Sequence, residues 1–175
     1  MERNKIVEAA SRYQRNFVPD RFTAAPNRHL VILTCMDARL DLFRLLGLET
    51  GDAHILRNAG GRASDDAIRS MTVSAQLLGT REFVVIHHTG CGLHGATNAG
   101  LSDLVEKTVG TRPTFDFLAF DDLEASVRTD VDRIATCELL PHDAIVWGAI
   151  YDVHTGELRT VTEALPMMRP VAGKS

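Results

Sequence analysis

Two thiols, an imidazole, a carboxylate and a guanidinium fall within two short stretches of this 175-residue chain. The first is VILTCMDARLD, Val31 to Asp41, where the run Leu30-Val31-Ile32-Leu33 leads into Thr34-Cys35-Met36-Asp37-Ala38-Arg39. The second is Phe83-Val84-Val85-Ile86-His87-His88-Thr89-Gly90-Cys91-Gly92. Each starts as the continuous apolar run of a buried strand and ends in groups that are costly to bury. Strand ends of this kind are where ligands bind in open α/β sheets. Cys35, His88 and Cys91 then offer three soft donors with room for a fourth, as in a catalytic zinc site. Alternation along the strand turns His87 to the opposite face, which makes His88 the better ligand. Gly90 and Gly92 let the backbone fold around an ion.

Asp37 and Arg39 lie on the same side as Cys35 if the chain stays extended. The carboxylate has two acceptable partners: the metal, as a fourth ligand, or the planar fork of Arg39. Held by Arg39, it becomes an acceptor that orients the attacking water and leaves the fourth position open. Other cysteine chemistries fit less well. A phosphatase-type loop would need an arginine at position 41, where the chain has Asp41, and there is no Cys-x-x-Cys for redox work. Asn58-Ala59-Gly60-Gly61 lacks the glycine spacing of a dinucleotide fingerprint. Three cysteines at uneven spacing make no disulfide framework, and Cys137, alone near a helix end, reads as a packing residue.

Composition narrows the class of partner. A formal charge of −4 and a pI near 5.9 argue against a nucleic-acid footprint, and no block of like charges suggests a membrane anchor. The polar start and the lack of a long apolar run predict a cytoplasmic chain without a membrane span. At this length, with 45% hydrophobic residues, one domain spanning 1–175 is expected.

The elements that must position these groups follow from periodicity. Ile6, Ala9, Ala10, Tyr13 and Phe17 mark an amphipathic helix over Glu2 to Asn16, stopped by Pro19. Its apolar stripe needs a surface on the domain or on a partner. Strand one covers Leu30 to Thr34, a short helix Leu40 to Leu46 closes on Gly47, and strand two covers Ala53 to Arg57. Ser64 with Asp65 and Asp66 starts a helix whose buried face is Ile68, Met71, Ala75 and Leu78 and which Gly79 ends. Strand three covers Glu82 to His88, and a helix covers Asn98 to Val109. An ordered loop, Thr111 to Phe120, carries Phe115, Phe117 and Phe120. Asp121 and Asp122 cap a helix from Leu123 to about Thr136, strand four covers Ala144 to Tyr151, and a turn at Gly156 returns strand five, Leu158 to Thr162. Residues 166–175 form a loosely held tail. The whole predicts an α/β fold, with a mostly parallel central sheet of four strands, one antiparallel edge strand and helices on both faces.

Cys35-x-Asp37-x-Arg39 combined with His88-x-x-Cys91 resembles the zinc site of the β-class carbonic anhydrases. The likeness is strong from Leu30 to Gly92, including Arg57-Asn58-Ala59-Gly60, and less specific onward to Thr162. It implies Cys35, His88 and Cys91 as ligands of one zinc ion per subunit, and Asp37 and Arg39 as the catalytic dyad. It implies hydration of carbon dioxide to bicarbonate and a proton by a zinc-bound hydroxide. It also implies a homodimer or higher homo-oligomer in which residues 1–18 pack on the neighbouring subunit. The chain is similar to the compact branch, which includes hydrolases of carbonyl sulfide and carbon disulfide, so those gases are the alternative substrates. Leu93 or the Phe115–Phe120 loop would then shape the pocket, and His94 is expected as a solvent-facing loop residue. A zinc-stabilised interaction module, closed through Asp37 and without turnover, is the remaining alternative.

Overall fold

β1 (Leu30–Cys35), β2 (Ala53–Asn58), β3 (Glu82–His88), β4 (Ile145–Tyr151) and β5 (Leu158–Pro166) lie in one sheet in the order β2-β1-β3-β4-β5. The first four are mutually parallel, and β5 returns antiparallel on β4. The structure, a computed structural model, describes residues 1–18 and 23–168. The expected stop at Pro19 and most of the expected tail, residues 169–175, lie outside those residues.

Alternation sorts each central strand between two cores. Val31 and Leu33 of β1 with Phe83 and Val85 of β3 face one side and are fully buried. There they meet Ala67, Ile68, Met71 and Ala75 of α3 (Asp65–Leu78) and Val127, Val131 and Ile134 of α5 (Leu123–Ala135). Burying each such large side chain contributes about 1.5–3 kcal/mol. Ile32, Val84 and Ile86 face the other side, with Leu48 and the half-buried Leu46. Helix cover is therefore unequal: two long helices on one face, and the single turn of α2 (Leu42–Leu46) on the other. α1 (Glu2–Arg15) buries no residue, and Ile6, Tyr13 and Phe17 remain exposed. α4 (Asn98–Val109) buries only Ser102.

Side-chain caps set the helix starts. Ser64 accepts from Ala67 N–H, Thr97 from Gly100 N–H and Asp122 from Ala125 N–H, each satisfying a donor that has no partner within its helix. α2 starts two residues later than its apolar spacing suggests, because Asp41 caps it by accepting from Arg44 N–H. β5 runs four residues past Thr162. Glu163 and Ala164 hide the alternation, but Val161 and Leu165 pack on the main core. Pro166 is tolerated because an edge strand leaves half its donors unused. Met167 is buried, and the Met167 and Met168 N–H groups donate to Ala144 and Ala135, so the chain is held two residues beyond the strand.

β4 passes under α5 at Gly148, where a methyl group would be driven into Val127 and Val131. Gly148→Ala is expected to destabilise the fold by about 1–3 kcal/mol through overpacking. A lower urea midpoint at unchanged m-value would show it.

Candidate metal centre

Parallel pairing of β1 and β3 sets Thr34 opposite Ile86, so Cys35 and His88 emerge at one edge of the sheet. Cys91 follows in the turn after β3. One ligand atom from each of Cys35, His88 and Cys91 lies within 4.8 Å of the others, and all three residues are buried. His88 Nδ1 is 2.9 Å from the Thr89 carbonyl oxygen. A carbonyl only accepts, so Nδ1 carries the proton and Nε2 presents a lone pair. That Nε2 is buried and has no hydrogen-bond partner. Burial lowers the basicity of His88 and favours the neutral ring, an effect only partly offset by the bond to Thr89. Burial also pushes the Cys91 thiol up, assisted by the neighbouring Cys35. Two desolvated sulfurs and an unpartnered imidazole nitrogen form a donor set that a soft or borderline divalent cation satisfies. The site fits a metal.

The chain does not stay extended past Cys35. β1 ends there, and Ala38 and Arg39 occupy a turn. Arg39 nevertheless meets Asp37, because the Asp37 carboxylate draws the turn together. Oδ1 accepts from Arg39 N and Arg39 Nε, both at 2.9 Å, and Oδ2 from Arg39 Nη2 at 2.7 Å. The side-chain and backbone bonds of Arg39 hold the Asp37 carboxyl well below the usual carboxylate range. Asp37 Oδ2 lies 3.9 Å from His88 Nε2, beside the unpartnered nitrogen. Arg39 Nη2 also donates to the Gly90 carbonyl at 2.9 Å, joining this turn to the one that bears Cys91. A cleft of about 390 Å³ opens over the cluster, with Met36, Ala38, Ala59, Gly60 and Leu93 beside Cys35, Asp37 and Cys91. Leu93 lines it, whereas no residue of the Phe115–Phe120 loop does. A larger cavity of about 460 Å³ beside α2 contains no cysteine or histidine. His94 is exposed, with Nε2 at 2.9 Å from the Asp121 carbonyl. Cys137 is half-buried against the main core.

Three further groups shape the site. Arg57 donates to the carbonyls of Cys35 at 3.0 Å, Asp37 at 2.6 Å and Leu40 at 3.3 Å, bracing the whole turn that carries the carboxylate. The stretch Arg57-Asn58-Ala59-Gly60 marks its position in the sequence, and only the structure shows this bracing role. Gly61, at φ +70°, lies so close to β1 that a Cβ would meet Cys35 N at 2.8 Å. Arg62, Asp130 and His87 form a buried ionic cluster on the opposite face. Nothing in the local pattern marks Asp130, a carboxylate inside a helix.

Comparison with known proteins places this geometry. A model of the carbonic anhydrase family matches residues 30–111. β-Carbonic anhydrase 1 of Mycobacterium tuberculosis is 40% identical over 137 residues, covering 78% of this chain and 84% of the relative. A carbon disulfide hydrolase of Acidithiobacillus thiooxidans is 35% identical over 173 residues, covering 85% and 78%. The crystal structure of a carbonic anhydrase from Streptococcus mutans superimposes with a TM-score of 0.87 at 43% identity, over 93% of this chain and 98% of that one. Sheet order and these likenesses agree on an α/β enzyme built on a mostly parallel sheet. The chain belongs to the β-carbonic anhydrase family. Among the described residues no helix is long and apolar enough to cross a membrane.

Burial alone would raise the Asp130 carboxyl, but its bonds from His87 and Arg62 outweigh this and hold it below the usual value. Its contribution to stability is therefore complete above the unfolded carboxylate pKa of about 3.9 and is lost as pH falls through the lower, folded value. Asp130→Asn is expected to lower stability at neutral pH and to flatten the decline below about pH 4. Urea midpoints from pH 2.5 to 7 test this; an acid limb as steep as that of the parent would contradict it.

Proposed function

We propose that this carbonic anhydrase hydrates carbon dioxide reversibly to bicarbonate and a proton, using one zinc ion per subunit held by Cys35, His88 and Cys91. The observation that carries this reading is the buried, unpartnered His88 Nε2 between two thiols and beside an arginine-clamped carboxylate. Zinc bound to such ligands supplies a Lewis acid that brings the pKa of a coordinated water down from 15.7 toward neutrality.

The chain's own residues do the rest. His88 keeps its Nδ1 proton on Thr89, so its other nitrogen stays aimed into the cluster. Asp37, ionised throughout the working range, is a poor proton store and a good acceptor. It holds the attacking water by one hydrogen bond and turns the oxygen lone pair toward the carbon. Arg39 keeps that carboxylate in place by a bidentate grip. Met36, Ala38, Ala59 and Leu93 give the cleft an apolar wall suited to a small, uncharged, linear gas. Attack forms one carbon–oxygen bond as one C=O π pair moves onto its oxygen, the water yields one proton to solvent buffer, and bicarbonate leaves.

A second reading uses the same site on carbonyl sulfide or carbon disulfide. The carbon disulfide hydrolase relative favours it, as does the apolar wall of the cleft. A non-catalytic module would require Asp37 to leave Arg39 and close the fourth position.

The reading takes 1–175 as one catalytic domain and residues 1–18 as an arm laid on a partner subunit. Ile6 and Tyr13 remain exposed on a helix that buries nothing in its own chain, and Phe17 is exposed just beyond it, which suits a homodimer or higher homo-oligomer. Three unbridged thiols suit a reducing cytoplasm.

Stopped-flow hydration with zinc-assayed protein tests the activity. The rate is expected to rise from pH 7 to pH 9, because two thiolates make the metal a weaker Lewis acid and leave the water pKa above that of an all-histidine site. Asp37→Asn should lose about 10–100-fold in kcat with zinc retained, whereas Cys91→Ser should lose the zinc. Strong sulfide release with weak hydration would move the substrate to the second reading. Bound zinc with no turnover of any of the three gases would favour the module. Removal of residues 1–18 should shift sedimentation to a monomer, and an unchanged oligomer would refute the arm.

A further inference from the structure

The hydration reaction makes no use of Arg62, Asp130 and His87, although all three are more than nine-tenths buried. Asp130, midway along α5, accepts from Arg62 Nε at 2.7 Å, from Arg62 Nη2 at 3.2 Å and from His87 Nε2 at 3.1 Å. His87 Nε2 is also 3.2 Å from the Gly61 carbonyl oxygen. Both neighbours of that nitrogen are acceptors, so it carries the ring's proton and donates to them. A buried ion pair is a costly way to fill space, since apolar residues of the same volume serve stability as well or better. What the cluster touches gives it a different use.

Two segments converge on it, and each leads to a cysteine of the metal cluster. On one side, Asn58 and Arg62 close the intervening turn by paired amide bonds: Asn58 Nδ2 to the Arg62 carbonyl at 2.7 Å, and Arg62 N to Asn58 Oδ1 at 2.8 Å. That turn carries Gly61, whose backbone abuts Cys35 N. On the other side, Arg62 Nη1 donates to the carbonyl of Leu118. Leu118 is held at φ +57°, a conformation that a branched residue adopts only under constraint. The guanidinium also lies 5.5 Å over the Phe120 ring, which stacks on His87 at 5.7 Å. Phe120 in turn receives Gly95 N–H on its carbonyl at 2.8 Å and donates its own N–H to Leu93 at 3.2 Å. Those bonds pin the loop that follows Cys91.

We propose that Arg62 and Asp130, with His87, are positioning residues for the metal centre: they seat the Gly61 turn against Cys35 and the Phe120 segment against the Cys91 loop, and so fix the spacing of the two sulfurs. This role presupposes that Cys35, His88 and Cys91 hold a metal. Lysine cannot replace Arg62, because only a planar fork reaches both Asp130 oxygens and the Leu118 carbonyl together.

The test compares Asp130→Asn and Arg62→Lys with Val131→Ala, which loosens the same helix by a core cavity and leaves the cluster intact. Each protein is loaded with zinc, and loss to a chelator is followed at temperatures equally far below each Tm. The cobalt(II)-substituted forms are compared by visible absorption. Asp130→Asn and Arg62→Lys are expected to release zinc about tenfold faster than Val131→Ala and to shift the cobalt–thiolate bands, while Val131→Ala keeps the parental spectrum. Equal release and unshifted bands in all three would reduce the cluster to a structural role and overturn the proposal. If Asp130→Asn does not fold, Arg62→Lys carries the comparison alone. A parent chain that takes up no stoichiometric zinc would instead refute the metal reading.

Discussion

Two sulfurs and a bare imidazole nitrogen, buried at the floor of a cleft and gathered within 4.8 Å, make a cluster that protein groups alone leave unsatisfied. Such electron-rich atoms repel one another when the thiols ionise, and burial deepens the penalty. The scaffold must press them together against that tendency. Much of the architecture around the site answers this requirement. The sheet edge supplies position, and the loops beyond it must be made as stiff as the strands.

Arginine provides that stiffness. A turn leaves carbonyls without ladder partners, and a buried or half-buried carbonyl needs a donor. Arg57 serves three of them along residues 35–40, Arg39 serves Gly90, and Arg62 serves Leu118. Arg57 spans one turn with three donors, while Arg39 and Arg62 each spread theirs over two segments, which an ammonium group cannot do with fixed geometry. The loops around the centre are therefore braced from the side chains inward, and the strands need contribute only their ends.

Much of this was legible in the sequence because period and chemistry coincide there. The apolar runs before Cys35 and His88 announce buried strands, and Ser64 and Gly79 bracket α3 where the structure has it. The alternation that separates His87 from His88 persists to the end of β3, so the two rings face opposite cores. Legibility failed where the determinant is distant. Arg39 reaches Asp37 through a turn, and strand alternation could not describe that path. The end of β5 depends on Val161 and Leu165 finding the core across Glu163 and Ala164. Asp130 is one of several acids on its helix, and only its partners, far away in the chain, distinguish it. The phenylalanine loop shows the same limit: Phe120 packs behind the site against His87, while Leu93 takes the wall of the cleft.

The second bond of Arg39 gives the site a mechanical property. Its Nη2 serves both Asp37 and Gly90, so one guanidinium rivets the carboxylate turn to the turn that bears Cys91. The gap between those turns and the aim of the carboxylate are therefore a single degree of freedom. A swing that freed the acid would unfasten the second sulfur's loop in the same motion, and a ligand wedged into the cleft would be felt at both.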